Sequence, residues 1–164
     1  MTEMVDIVDA EDRVLGQVSR ETMRRDNLLH RAVYVLLVDS RGWLFVHRRT
    51  DTKDVYPGFW DVTVGGVVVA GEDYPAAAHR ELREELGVSP ASLQPLSAVC
   101  YEDAHTRVRG MAFRALHDGP VTLQEDEIAC GRFVPMAEAE RIIAEERCCP
   151  DGAEVLRACA RVAR

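Results

Sequence analysis

Short apolar runs, turn residues and polar stretches alternate along the chain and predict a mixture of strands and helices. Met4–Val8 and Val14–Ser19, on either side of the turn-prone DAED, predict an N-terminal hairpin. The polar residues 20–27 predict a helical turn or a loop. The apolar, β-branched run 31–38 predicts a central strand, and residues 43–48 predict its antiparallel return after a DSRG turn.

The second half of the chain predicts further strands and two closing helices. In chain order these are an extended piece at 59–64, an antiparallel pair at Gln94–Glu102 and 108–116, a last strand at 130–134, and helices at 136–147 and 154–162. Strands that arrive as hairpins, with helices between and after them, predict an α+β sandwich with a mixed sheet.

Residues 65–88, GGVVVAGEDYPAAAHRELREELGV, predict a helix with an acidic face. Successive helical residues rotate by about 100°, so Glu81, Glu84 and Glu85 share one sector. The expected buried stripe on the neighbouring sector consists of Pro75, Ala78, Leu82 and Leu86. Like charges four residues apart cost a helix roughly 0.2–0.5 kcal/mol, so their grouping beside an apolar stripe indicates a bound cation.

Magnesium is the cation that this cluster suits, because Mg²⁺ prefers oxygen ligands and leaves room for substrate phosphates in its shell. The preceding Gly65-Gly66 lets backbone approach closely. Each feature also has a structural alternative. An acidic helix face is typical of a solvated surface, Arg80 and Glu84 are spaced for a surface ion pair, and paired glycines are typical of a strand bulge.

The whole chain has the length and composition of one globular domain, with 164 residues, 47% apolar and 29% charged. Within it we expect an N-terminal hairpin extension at 1–28 and C-terminal helices at 135–164. No apolar run approaches the ~20 residues that cross a bilayer, and the acidic N-terminus lacks the basic and apolar regions of a secretion signal. We therefore expect a cytoplasmic protein with no membrane partner.

Charge and cysteine content narrow the expected partners. The net charge of −8 argues against a nucleic-acid polymer, which a basic surface normally binds. A small anionic substrate is compatible with this charge if a metal supplies positive charge locally. The five cysteines are an odd number without CxxC spacing, which favours reduced thiols over a disulfide framework or a zinc site.

The joint spacing within 65–88 carries a resemblance to a known family. The specified positions are Gly66, Glu72, Arg80, Glu81, Leu82, Glu84, Glu85, Gly87 and Val88. This pattern resembles the Nudix box at every specified position, and the preceding PGFWD looks like the segment before the box in many members. The resemblance covers about 31–134. It implies a Nudix α/β/α sandwich and Mg²⁺- or Mn²⁺-dependent hydrolysis, by metal-activated water, of the diphosphate linkage in a nucleoside di- or triphosphate or related derivative.

The resemblance also implies roles for residues of the box. Glu84 and Glu85 match the principal metal ligands, and Glu81 matches the glutamate that shares in metal binding or activates water. Arg80 matches the arginine that orients these carboxylates. Gly66 matches the glycine whose carbonyl often joins the metal site.

Carboxylates beyond the helix add to this set. Glu72 matches a supporting glutamate near the helix start. Many family members also recruit a carboxylate from a loop outside the box, for which the candidates here are Glu125 and Glu127, with Glu102 behind them. We take Glu127 as the metal ligand of this group, although a solvated loop explains 125–127 equally well.

Substrate contacts are expected beside the box. Arg48 and Arg49 end a strand that faces the PG loop, where they could bind substrate phosphates or serve a structural role. Trp60 lies in the segment before the box and is a third candidate. Specificity is expected to come from loops 50–56 and 103–107, which carry no readable signature. A homodimer is compatible with the family.

The N-terminal hairpin, HRR, YPGFWDVTVGG and the box together also resemble the branch that contains type 1 isopentenyl-diphosphate isomerase. Gly65 stands at the position of the isomerase cysteine and Val67 at that of a metal-binding histidine, while His30 matches another histidine of that branch. With no cysteine beside the box, we expect no isomerase activity. A module that binds nucleotides without turnover is the other alternative, but such modules commonly lose the box glutamates that this chain retains.

Overall fold

Nine strands and four helices make up the part of the chain that the computed structural model describes, residues 2–90 and 92–163. In chain order they are β1 (Met4–Val8), β2 (Val14–Ser19), α1 (Arg20–Arg25), β3 (Leu29–Val38), β4 (Leu44–Arg49), β5 (Trp60–Asp61), β6 (Val64–Val67), α2 (Tyr74–Leu86), β7 (Gln94–Glu102), β8 (Arg107–Leu116), β9 (Ile128–Val134), α3 (Met136–Glu145) and α4 (Pro150–Ala163). The predicted elements are present with slightly shifted bounds. The extended piece expected at 59–64 is replaced by two short strands, β5 and β6.

The apolar strand β3 organises the sheet. It pairs in parallel with β8 along its whole length, from Leu29 beside Arg107 to Val38 beside Leu116, and antiparallel with β6. Strand β4 leaves β3 at Val38 and pairs instead with β5 and β9. The predicted mixed sheet is therefore confirmed. Because β4 pairs with β3 at a single position, the two strands diverge and leave a gap between them.

Successive side chains of β3 point to opposite sides of the sheet, so both faces of the sheet carry apolar side chains, and helices cover both. Val33, Val35 and Leu37 pack in the cluster that includes α2, whereas Tyr34 and Leu36 pack in the cluster that includes α3 and α4. The result is the α/β/α sandwich that the resemblance implied. Within the described residues, no helix combines the length and apolar character needed to cross a membrane.

Helix α2 is defined by caps at both ends. Asp73 accepts a hydrogen bond from the Ala76 amide at 2.8 Å, and Gly87 ends the helix in the left-handed conformation with φ of 65°. The buried residues of α2 are Ala77, Ala78, Leu82, Glu85 and Leu86. Pro75 is exposed, so its predicted place in the buried stripe is wrong. It occupies the first turn, where its missing N–H leaves no helical hydrogen bond unmade.

Close packing of β6 on β3 requires glycine at position 65. A Cβ there would lie 1.9 Å from the Val33 carbonyl oxygen, which is backbone and cannot turn away. We expect Gly65→Ala to lower the free energy of unfolding by at least about 2 kcal/mol, as measured by urea denaturation. Gly16→Ala is the control, because a Cβ at Gly16 meets nothing within 4 Å. Equal losses in the two variants would contradict the steric explanation.

Candidate active site

Arg80 is the centre of an ion-pair network on α2. Its Nε and Nη2 donate to the carboxylate of Glu72 at 2.9 and 3.0 Å, and Nη2 also donates to the Val67 carbonyl at 3.1 Å. Its Nη1 donates to Glu81 at 2.9 Å and to Glu84 at 3.2 Å. Hydrogen bonding to Glu72 is the main reason why the pKa of Arg80 is raised. One guanidinium therefore ties β6, the segment before α2 and two box glutamates together.

Glu81 and Glu85 are carboxyl groups buried side by side. The side chain of Glu81 is 12% exposed and Glu85 is 8% exposed, whereas the Glu84 side chain is 50% exposed. Burial raises the pKa of Glu81 despite its ion pair with Arg80. Burial, followed by repulsion from Glu81, raises the pKa of Glu85 well above its ordinary value. Among the described residues Glu85 has no cation within ion-pair distance.

Gly66 allows this carboxyl pair to approach the sheet. A Cβ at position 66 would lie 2.7 Å from Oε1 of Glu81. A side chain there would push the Glu81 carboxylate away from β6, or would itself be displaced. The glycine that the resemblance assigned to the metal site is thus placed directly against one of the three box glutamates.

The box carboxylates line one side of a cleft of 170 Å³. Besides Arg80, four cations line the same cleft, Arg20 and Arg24 from α1, Arg49 from the end of β4, and Lys53 from the following loop. Burial, together with repulsion from Arg49, lowers the pKa of Lys53. Burial also lowers the pKa of Arg24, to which repulsion from Arg20 and Arg49 contributes. The cleft therefore brings a cationic group and a carboxylate group into one space.

Acidic partners balance part of this positive charge. Arg24 pairs with Asp54 at 3.2 Å, and Lys53 pairs with Glu127. Arg49 differs from them, because its Nε and Nη2 donate to the Val55 carbonyl at 3.1 and 2.9 Å and it has no ion pair among the described residues. Arg49 is thus the cation of this group whose charge is least compensated.

The predicted substrate-binding residues do not lie together. Arg49 lines the cleft, whereas Arg48 and Trp60 do not. A bulge lies between Arg48 and Arg49 in the pairing of β4 with β9, and of these two residues it is Arg49 that lines the cleft. Trp60 packs against the core on the α3 and α4 side, and its amide donates to the Arg147 carbonyl at 2.8 Å. The cleft therefore offers no support for substrate contacts by Arg48 or Trp60.

Of the three carboxylates considered outside the box, Glu127 is the one in the cleft, where it pairs with Lys53. Glu125 is exposed on the surface. Glu102 pairs with Arg107 at 3.2 Å, next to the turn that joins β7 and β8. The structure thus brings the candidate ligand Glu127, and neither of its alternatives, towards the box.

Three further acids of the cleft were missed by sequence reasoning, Glu3 just before β1, Asp61 in β5 and Asp151 in the first turn of α4. Asp61 accepts hydrogen bonds from the amide and hydroxyl of Thr63, each at 3.0 Å, and Asp151 accepts one from the Tyr34 hydroxyl at 3.0 Å. Burial raises the pKa of Asp61, and burial together with Asp61 raises the pKa of Asp151 to about 6. No local spacing connects these residues, because tertiary packing alone brings them together.

The fold also brings Cys149 and His30 to the cleft. Burial, followed by repulsion from Asp61, raises the pKa of the Cys149 thiol, so the thiol stays protonated and is poorly suited to act as a base. Burial lowers the pKa of His30 to about 4, and its Nδ1 lies 2.9 Å from the Leu28 carbonyl. A thiol from a distant segment therefore lines the same cleft as Gly65, in an unreactive form.

The chemistry of the box donors fits a hard divalent cation. Glu81, Glu84 and Glu85 supply carboxylate oxygens within one helical turn, which are the ligands that Mg²⁺ and Mn²⁺ prefer. Within residues 2–90 and 92–163, no three His, Cys, Asp or Glu side chains already converge as an ion-holding group. Arg80 instead engages oxygens of Glu81 and Glu84.

The chain matches the family model described as NUDIX domain over residues 28–159. It is 40% identical over 158 residues to "Uncharacterized Nudix hydrolase PA4841" of Pseudomonas aeruginosa, covering 94% of this chain and 92% of that protein. It is 45% identical over 128 residues to "Uncharacterized Nudix hydrolase YfcD" of Salmonella typhi, covering 78% and 70%. The crystal structure of DR0079 from Deinococcus radiodurans matches with a TM-score of 0.80 and 31% identity, covering 96% of this chain and 99% of that chain.

The buried carboxyl of Glu85 predicts a stability cost. A carboxyl whose pKa is higher in the folded than in the unfolded state favours folding most below its ordinary value of 4.5, and stability falls as the pH rises towards the folded-state value. With a chelator at about pH 8, Glu85→Gln should therefore raise the free energy of unfolding by about 1–2 kcal/mol.

Urea denaturation of wild type and variant measures this change. Glu84→Gln is the matched control, because Glu84 is half-exposed, and it should change stability by less than about 0.5 kcal/mol. A Glu85→Gln variant that is no more stable than wild type would contradict the claim that burial of the Glu85 carboxyl lowers the free energy of unfolding.

Proposed function

The chain belongs to the Nudix family and is a Nudix hydrolase, and we propose that it uses Mg²⁺ or Mn²⁺ to cleave the diphosphate linkage of a nucleoside di- or triphosphate or a related nucleoside diphosphate derivative. The observation that carries this proposal is the cleft that sets Glu81, Glu84 and Glu85 near Arg49 and Lys53. A diphosphate requires both groups, since carboxylates hold the metal and fixed cations bind phosphate oxygens.

The box glutamates are the proposed metal ligands, with Glu84 and Glu85 as the principal pair. When bound there, a divalent cation neutralises phosphate charge and makes water a better nucleophile. Glu81 shares in metal binding or accepts a proton from water, and burial, which raises its pKa, makes its carboxylate a better proton acceptor. Arg80 holds Glu81 and Glu84 in position through its Nη1.

The cations of the cleft are the proposed phosphate ligands. Arg49 and Lys53 line the same cleft as Glu81, Glu84 and Glu85, so their charge lies in the space that the box glutamates face. Two nitrogens of Arg49 are fixed by the Val55 carbonyl, so its guanidinium is held in one orientation before substrate binds. Glu127 is proposed to assist at the metal site while holding Lys53 in place.

A variant with Glu84→Gln and Glu85→Gln should lose at least about 1,000-fold in kcat, because both principal metal ligands lose their charge. Release of nucleoside monophosphate and phosphate from a panel of nucleotides, with Mg²⁺, Mn²⁺ or a chelator, measures the effect. Glu145→Gln is the control, since Glu145 pairs with Arg141 on the surface of α3. A wild type as inert as the variant on every nucleotide would favour a binding module without turnover.

The neighbours Arg48 and Arg49 provide a matched test of the phosphate site. Arg49→Gln should raise KM for a nucleoside diphosphate by about 10-fold or more, the effect of losing one charge-assisted hydrogen bond. Arg48→Gln should leave KM within about twofold, because Arg48 does not line the cleft. Steady-state kinetics with saturating Mg²⁺ measure both values. The assignment of Arg49 fails if the two variants behave alike.

A further inference from the structure

Part of the cleft consists of residues that neither the metal site nor the phosphate site uses. We call this part the inner chamber and define it by Tyr34, Tyr56, Asp61, Cys149 and Asp151. These residues come from β3, the loop after β4, β5, the segment before α4 and the first turn of α4. They share one continuous space with the box glutamates, so a ligand with its diphosphate at the box can extend into the chamber.

Tyr56 gives the inner chamber a fixed aromatic residue. Its backbone is left-handed with φ of 50°, a conformation that a bulky residue rarely adopts. Its hydroxyl donates to Asp103, and its ring contacts those of Phe59 and His105, with centroids 5.5 and 6.0 Å away. Tyr56 thereby joins the two loops that the sequence analysis expected to determine specificity, at 50–56 and 103–107.

Asp61 and Asp151 give the inner chamber an excess of hydrogen-bond acceptors. Neither has an ion pair among the described residues. Asp151 accepts hydrogen bonds from the Tyr34 hydroxyl at 3.0 Å and the Gly152 amide at 2.9 Å. A Cβ at Gly152 would lie 2.3 Å from Oδ1 of Asp61, so glycine allows the start of α4 to pack against this carboxyl. Two buried acids are thus held close together in the cleft with no direct ion pair among the described residues.

Arg49 connects the inner chamber with the phosphate site. Arg49 lines the same cleft as Asp61, Asp151 and the glutamates of α2, so its guanidinium is shared by the chamber and the box. A nucleotide with its diphosphate at Arg49 therefore has its phosphates towards the glutamates and its nucleoside towards the chamber. This arrangement fits a ligand that is anionic at one end and rich in hydrogen-bond donors at the other.

An amino-bearing nucleobase has the chemistry that the inner chamber requires. Its exocyclic amine donates to carboxyl oxygens, and its planar ring can pack on an aromatic side chain. A carbonyl in place of the amine would set oxygen against oxygen in a buried site and leave acceptors unpaired, which is costly. We propose, on the basis of the proposed function, that Asp61 and Asp151 are specificity residues that select nucleotides whose base carries an amino group.

Matched nucleotides that differ in this one group test the proposal. The amino compounds CDP and ADP should be hydrolysed with kcat/KM about 10-fold or more above UDP and IDP, respectively, because a hydrogen bond to a charged group is replaced by repulsion. In Asp151→Asn the ratio of kcat/KM between amino and carbonyl nucleotides should fall to within about threefold, since the new amide offers a donor as well as an acceptor.

Two further variants keep this comparison interpretable. Glu154→Gln is the control for Asp151→Asn, because Glu154 is an exposed acid of the same helix outside the main cleft, and it should preserve the ratio. Asp61→Asn carries the same expectation as Asp151→Asn if the latter does not fold, as judged by circular dichroism. Equal kcat/KM for amino and carbonyl members in wild type would overturn the base preference and leave the hydrolase proposal intact.

Binding separates failure of this inference from failure of the proposed function. Calorimetry with Mg²⁺ and the α,β-methylene analogues of CDP and UDP measures base preference without turnover. Tighter binding of the CDP analogue by wild type, reduced in Asp151→Asn, supports the inference even if no nucleotide is hydrolysed. Equal binding of the two analogues, or none, overturns it.

Discussion

The structure depends on one guanidinium that makes a concentrated set of acids tolerable. Arg80 donates to Glu72, Glu81, Glu84 and the Val67 carbonyl, so its five N–H groups link the acidic face of α2 to β6. Without it, three glutamates on one helical turn would face each other beside the sheet with no fixed countercharge. Arg80 makes no contact with Glu85, and burial beside Glu81 disfavours the charged form of the Glu85 carboxyl, a cost that a bound divalent cation would relieve.

The sheet converts this local network into a site. Close contact at Gly65 and Gly66 brings β6 against β3 on one side and against Glu81 on the other. The separation of β4 from β3 leaves a cleft instead of a closed layer. Residues from both faces of the sandwich then meet in that cleft, with glutamates from α2 on one side and Asp151 from α4 on the other. Strand topology therefore determines which residues from distant segments line the same cleft.

The sequence predicted what depends on local spacing. Helix α2 and the sector shared by Glu81, Glu84 and Glu85 follow from residues within one short stretch. Contacts between distant segments could not be predicted from local spacing. Lys53 and Asp151 carry no motif, and their meeting across the cleft depends on how β4 and α4 pack. The choice of Arg49 over Arg48 required the tertiary structure, since a bulge between them interrupts the regular alternation of faces along β4.

The central claim is that the box glutamates support attack of water on a phosphorus of the diphosphate. The most direct test is hydrolysis of CDP in oxygen-18 water with Mg²⁺, followed by phosphorus NMR and mass spectrometry of the products. The claim predicts CMP and phosphate, with one oxygen-18 atom per turnover in one of the two products and no reaction in the presence of a chelator. Unchanged CDP with no incorporated label, in a preparation that binds the nucleotide and Mg²⁺, would contradict it.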